Sequence, residues 1–394
     1  MKIITRSIWL LSLVSLFTDV ASEMLYPVMP VYLKSIGFSV ILIGMLEGIA
    51  EATAGLSKGY FGRLSDISGK RTPFVQWGYL LSAISKPLLV VFTYPLWVFF
   101  SRTLDRLGKG IRTGARDAVL SDASTKETKA RVFGFHRSFD TLGAVLGPSL
   151  AMIYLYFHPG NYKILFLVAF LPGLLAVLFT LFLKEPKKIT GKTPRVSFLS
   201  SFSYWKSSPL LYKKVVGGLL VFALFNSSDM FLLLKVGQAG LPEYEIVGIY
   251  IFYNLVYALF SFPLGILADK MGLKTMLVIG LSVFSIVYLG MAGTGSRYVM
   301  FGLFFLYGIY AAATEGISKA WISNMVAKED TATAIGSFSG FQSICALVAS
   351  SLTGILWYNF GPQGAFYCTA FVTALVIIYL LVFVPNRSRS TPEN

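Results

Sequence analysis

The sequence predicts an all-α membrane protein made of two pseudo-symmetric six-helix bundles. Three observations lead there. Of 394 residues, 55% are hydrophobic and only 13% charged, and mean hydropathy is +0.68; a soluble domain carries nearer a quarter charged residues. Apolar runs of about 20 residues recur along the chain, each long enough to cross a bilayer as a helix. They lack the two-residue alternation of a barrel wall, and only helices or closed barrels satisfy their backbones in lipid. Finally, one charged turn occurs twice, about 200 residues apart. Gly62-Arg63-Leu64-Ser65-Asp66-Ile67-Ser68-Gly69-Lys70-Arg71 is matched by Gly265-Ile266-Leu267-Ala268-Asp269-Lys270-Met271-Gly272-Leu273-Lys274.

Twelve spans are predicted, at 8–33, 39–61, 73–93, 95–119, 131–156, 164–183, 215–236, 244–267, 274–293, 298–322, 333–357 and 364–384. Gly and Pro turns separate them, such as His158-Pro159-Gly160 and Gly240-Leu241-Pro242. The first span carries Asp19 and Glu23 where a secretory leader would be cleaved, so it reads as a retained helix. The fourth is the most polar. Arg102, Asp105, Arg106, Lys109, Arg112 and Arg116 step by three or four, which places them on one helix face. Such a stripe survives in a membrane if it faces water or protein. The internal repeat supports this span, because Phe99-Phe100 and Gly110-Ile111 recur as Phe304-Phe305 and Gly316-Ile317. The repeat also aligns the segment opening at Gly134 with the one opening at Gly336.

The division that follows is a first bundle at 1–184, a basic linker at 185–214 and a second bundle with a short tail at 215–394. An amphipathic surface helix is expected in the linker around Phe198–Trp205. Net charge is +15, but the basic residues cluster in alternate loops, which is a topology signal and not a nucleic-acid footprint. Arg63, Lys70, Arg71, the linker, Lys270, Lys274 and Arg387 share one side. The positive-inside rule makes that side cytoplasmic, with both termini on it, in a bacterial-type inner membrane. Cys345 and Cys368 lie in apolar runs, and His136 and His158 share no ligand spacing. No metal, cofactor or catalytic constellation is therefore expected.

Twelve helices as six plus six, a basic middle linker and Gly-x-x-x-Asp-x-x-Gly-Lys-Arg between spans two and three closely resemble the major facilitator superfamily. The likeness covers essentially the whole chain. It implies two bundles around a central cavity, a small-molecule substrate, a lipid bilayer, no nucleic acid and a monomer. In the family this Asp caps and pairs across neighbouring helices to hold the outward-facing state. Asp66 matches it, with Gly62, Gly69, Lys70 and Arg71 around it; Asp269 opens the second copy, where Leu273 replaces the first base and weakens the expected latch. Gly143-x-x-x-Gly147-Pro148 fits the Gly-x-x-x-Gly-Pro of antiporters, without the Gly pair that usually follows. The resemblance thus implies export by antiport, although small residues at that spacing also make a plain packing seam. Arg102 occupies the place of an Arg thought to assist proton transfer, with Arg106 where a Gly is expected.

The first half is crowded with ionisable residues at membrane depth, where each must pair or line water. Asp19 and Glu23 on span one, facing Arg102, Asp105 and Arg106 on span four, form the expected proton-coupling centre. Glu47 and Glu51 share a face of span two, and a gating role is assigned to them. The second half has fewer charges and more aromatics. Asn226, Asp229, Tyr253, Asn254, Tyr307, Tyr310 and Glu315 are the expected contacts for an amphipathic organic substrate. Glu315 and Lys319, one turn apart, are placed to neutralise each other. The rival is an importer of an organic anion, cradled by Lys86, Arg102, Arg106 and Arg137. A receptor lacks a signalling domain in the tails, and a membrane enzyme lacks a nucleophile–base pair.

Overall fold

The computed structural model describes residues 3–26, 28–38, 40–185, 200–227, 229–241 and 243–385. Among them the secondary structure is helical. Span one is two pieces, α1 (Arg6–Glu23) and α2 (Met29–Ser35). Then come α3 (Val40–Ser68), α4 (Thr72–Val91), α5 (Pro95–Asp122), α6 (Lys129–Phe157) and α7 (Tyr162–Thr180). The linker contributes α8 (Ser200–Ser207); its remainder at 186–199 lies outside the described residues, as do Arg387 and the rest of the tail. Span seven is also broken, into α9 (Leu210–Ala223) and α10 (Met230–Gln238). The last helices are α11 (Glu243–Met271), α12 (Leu273–Gly293), α13 (Arg297–Met325) and α14 (Thr331–Phe383). The expected spans eleven and twelve meet in α14 at Gly361, whose φ of 70° only glycine adopts freely.

Seven of these helices are long and apolar enough to cross a membrane by length and composition. The remaining spans fall short for physical reasons: α1–α2 and α9–α10 are interrupted, α3 carries Lys58, Arg63 and Asp66, and α5 carries the charged stripe. On α5 the stripe turns inward, since Arg102, Asp105, Arg112, Arg116 and Asp117 are all buried. The outer faces are apolar instead. Leu167, Leu171, Leu174 and Leu178 form an exposed stripe on α7, and Phe371, Leu375, Ile378 and Val382 one on α14. That inversion of the soluble pattern suits hydrocarbon as the solvent.

The helices group into two compact units. The first holds Met1–Thr125, His136–Ser207 and Ala327–Ser343; the second holds Lys126–Phe135, Ser208–Val326 and Ile344–Asn394. Within the first, α5 packs between α3 and α4, and α7 packs on α1 and α4. Within the second, α13 occupies the equivalent place between α11 and α12.

The internal repeat recurs inside each unit. In the first, a Cβ on Gly62 would fall 2.4 Å from the Ala332 carbonyl oxygen, and one on Gly336 would fall 2.4 Å from that of Lys58. In the second, the partners are Gly265 with Ala130 at 2.6 Å and Gly134 with Ser261 at 2.3 Å. Backbone meets backbone at all four, so only glycine fits. Gly134→Val and Gly336→Val should each destabilise the protein by about 1–3 kcal/mol through overpacking. Gly302→Ala, with nothing within 4 Å of the added Cβ, should leave stability unchanged or raise it by up to about 1 kcal/mol, because alanine is the better helix former. Thermal melts in detergent that failed to separate these variants would refute the packing argument.

Candidate functional site

The repeated turns end their helices with glycines in the left-handed region, Gly69 at φ 63° and Gly272 at φ 99°. Each turn sets a carboxylate on the start of another helix. Asp66 accepts from the Thr333 amide at 2.7 Å, the Thr333 hydroxyl at 2.8 Å and the Ala332 amide at 3.3 Å. These are the first residues of α14, where free amides and the helix dipole favour an anion. Arg71 closes the cluster, 3.2 Å from Asp66 and 2.9 Å from Asp122, and donates to the Lys328 carbonyl at 2.9 Å. Glu185, at the start of the linker, accepts from the Arg71 and Thr72 amides at 2.6 and 3.0 Å, capping α4. α8 adds Tyr204, whose phenol is pushed up by burial and then by Asp330 and Asp66.

In the second unit Asp269 accepts from the Ala130 and Arg131 amides, both at 3.0 Å, at the start of α6. Its cation is Arg131 at 3.8 Å. Arg131 thus takes the part that Arg71 plays in the first turn, from another helix. Lys274 instead donates to the Val384 and Leu381 carbonyls at 2.5 and 3.3 Å. Lys70 of the first turn is exposed.

The polar core of the first unit is built on α5. Lys86, 2% exposed, lies 2.8 Å from Asp105 and also donates to the Ser82 carbonyl and the Ser22 hydroxyl. Arg102 and Arg106 add their charge at Asp105. Two turns on from Asp105, Arg112 donates to Ser82 at 2.5 Å and lies over the Tyr79 ring at 4.5 Å. Arg116 pairs with Asp117 at 2.9 Å, and Arg137 with Asp140 at 2.5 Å. Ser15 of α1 donates to Asp140.

Asp19 and Glu23 lie where α1 meets α6. A Cβ on Gly143 would fall 2.7 Å from the Asp19 Cβ, and one on Gly147 would fall 2.9 Å from that of Glu23. The two glycines thus seat the two acids. Asp19 also interacts with Asp140, Glu23 and Lys109, and Glu23 with Lys109, Arg106 and Asp105. The side chains of Glu47 and Glu51 lie outside the described residues.

In the second unit, the break in span seven places Asp229 at the start of α10. Tyr253 donates to one carboxylate oxygen and Tyr307 to the other, the latter at 2.6 Å. Asn226 donates to the Tyr310 hydroxyl at 3.0 Å. The rings form a chain, with Tyr253–Tyr307 centroids 5.4 Å and Tyr307–Tyr310 centroids 5.3 Å apart. Asn254 turns away and donates to the Tyr250 carbonyl of its own helix. Glu315 reaches this group through its charge at Tyr310.

The structure therefore brings Asn226, Asp229, Tyr253, Tyr307 and Tyr310 together. It joins Asp19 and Glu23 to Gly143 and Gly147, with Arg106 beside Glu23. Four residues outside the expected site enter it: Lys86, Lys109, Asp140 and Glu185. The first three stood in the sequence as charges at membrane depth. Glu185 carried no signal, because capping a helix more than a hundred residues away depends on tertiary structure.

Interrupted helices, buried ion pairs and an inverted apolar surface describe a multi-pass membrane protein. The description Major Facilitator Superfamily matches residues 11–252 and 236–394. An uncharacterized MFS-type transporter of Methanocaldococcus jannaschii is 34% identical over 97% of this chain and 95% of its own. The multi-drug resistance efflux pump PmrA of Streptococcus pneumoniae is 22% identical over 93% of this chain and 92% of its own. The crystal structure of the human organic anion transporter MFSD10 superposes with a TM-score of 0.84 at 16% identity, covering 95% of this chain and 99% of that one. The chain belongs to the major facilitator superfamily and has its fold.

The two turns should differ in strength. Asp66→Ala removes three charge-assisted hydrogen bonds and the ion pair with Arg71, which keeps Asp122, a loss of about 3–5 kcal/mol. Asp269→Ala removes two amide bonds and a longer ion pair, about 1–3 kcal/mol. Denaturation of both variants in one detergent checks the order; an equal or greater loss for Asp269→Ala would contradict it.

Proposed function

We propose that this transporter exports a small amphipathic organic molecule in exchange for protons, by alternating access between bundles at 1–184 and 215–394. The observation that carries the reading is the seating of Asp19 and Glu23 on Gly143 and Gly147. The glycine motif that the sequence shares with antiporters presses against the two acids best placed to carry protons. Pro148 follows at once, removing an amide donor from α6 and permitting it to bend at that point. Arg106 and Lys109 are the cations that act on Glu23, while Lys86 pairs with Asp105 and Arg102 lies beside it. Carboxylates that exchange a cation partner for a proton couple proton flow to a change of contacts.

The Asp66 and Asp269 clusters fit the part of gates, since each holds the start of one long helix through hydrogen bonds from backbone amides that a conformational change can break. Asp229, Asn226, Tyr253, Tyr307 and Tyr310 form the substrate site in this reading, with Glu315 at its edge. Efflux is the named activity of the pneumococcal relative. The basic loops favour a bacterial-type inner membrane with cytoplasmic termini, and a monomer is sufficient for the site.

A ligand found by thermal shift, followed in liposomes under an imposed pH difference, tests the reading. Asp19→Asn and Glu23→Gln should each lower gradient-driven flux by at least tenfold and leave ligand binding within about threefold. Wild-type flux in both variants would reject Asp19 and Glu23 as the coupling centre.

A further inference from the structure

We propose that the Asp229 site binds a protonated amine on an apolar body, with the Asp229 carboxylate as its counter-ion. This deepens the substrate reading above and rests on it only for the statement that the bound molecule is transported.

The argument starts from depth. Tyr253 and Tyr307 each stand ten residues from the N-terminal end of a 29-residue helix. At 1.5 Å per residue that is about 15 Å along a helix of about 43 Å. Asp229 lies between their hydroxyls, so it sits within the membrane-spanning part of both helices, where a charge without a partner is costly. Three buried carboxylates of the first unit meet that demand with a cation: Asp105 with Lys86, Asp117 with Arg116, Asp140 with Arg137. Among the described residues Asp229 has no such cation within 4 Å. Its partners are two neutral phenols and the start of α10, which supplies only a partial positive charge.

Two further features point to the same ligand. Asn226 donates its amide to Tyr310, and its Oδ1 is buried without a hydrogen-bond donor. The site thus holds a carboxylate short of positive charge and an amide oxygen short of a donor. An ammonium group supplies both a charge and N–H donors. The walls are aromatic, with Tyr250, Tyr253 and Tyr307 in sequence at centroid separations of 5.6 and 5.4 Å. Ring faces attract cations and repel anions. Asp229 is half-buried while Tyr253, Tyr307 and Tyr310 are buried, so Asp229 lies at the more accessible edge of the site. An anionic substrate would face Asp229 at close range and gain nothing from the rings.

The test uses matched compounds on the full-length protein in detergent: 4-phenylbutylamine, 4-phenylbutanol and 4-phenylbutyrate, and the same three head groups on a diphenylpropyl skeleton. Binding is read by calorimetric titration at neutral pH. The amine of at least one skeleton should bind, its alcohol at least tenfold more weakly, and its carboxylate not at all. Asp229→Asn, which keeps the shape of the side chain, should weaken the amine by at least about 30-fold. Tyr307→Phe removes one donor that orients the carboxylate and should weaken it about three- to tenfold. It also serves if Asp229→Asn does not fold. Equal binding of carboxylate or alcohol, absence of amine binding, or unchanged amine affinity in the foldable variants would overturn the proposal. Flux separates this from the antiport reading: an Asp229-dependent amine that a pH gradient does not move would leave the proposal standing and remove proton-coupled export. A carboxylate moved by the gradient would do the reverse.

Discussion

The structure depends on one constraint: an ion inside hydrocarbon must find a partner within the protein. A chain with so few charged residues nevertheless puts a dense set of them on α1, α4, α5 and α6. They are tolerated because α5 is the helix surrounded by the others in its unit, and its stripe faces inward onto Lys86, Tyr79, Ser15 and Asp140. Burial alone would favour replacing such pairs with apolar side chains, since desolvation offsets much of the Coulomb gain. Their presence on the most enclosed helix is explained by use. Groups that can trade partners give a rigid bundle discrete alternative contacts.

The two units meet this constraint differently. In the first, Asp105, Asp117 and Asp140 are matched with ammonium or guanidinium. In the second, the central carboxylate is matched with phenols, on a helix broken at that point. A carboxylate held by neutral donors stays available to a visiting charge, whereas one locked to an arginine does not. The division of labour proposed above, with protons handled in one half and ligand in the other, rests on this difference in partner chemistry more than on any difference in fold.

Much of this was legible in the chain. Period and length gave the spans, and the repeated turn gave the duplication. The stripe on α5 was readable because 3.6-residue periodicity survives in charges as well as in apolar residues. The reciprocal glycines were visible as aligned positions, Gly62 with Gly265 and Gly134 with Gly336, without their partners being known. What the sequence did not show were contacts set by helix packing. Asp140 was seen as one more charge of span five, and its place beside Asp19 depends on the close approach that Gly143 allows. Asn254 was grouped with Asn226 by composition, yet its amide serves its own helix. The breaks in spans one and seven were also missed, because hydropathy averages over a few unwound residues.

Lys274 gives the chain an uncommon fastening. Its ammonium grips carbonyls at the very end of α14, so the turn between α11 and α12 is buttoned to the last stretch of transmembrane helix. Anything spliced directly behind Val384, whether a fluorescent reporter or a purification handle, would tug on a turn more than a hundred residues upstream. A spacer placed after that point keeps the button closed.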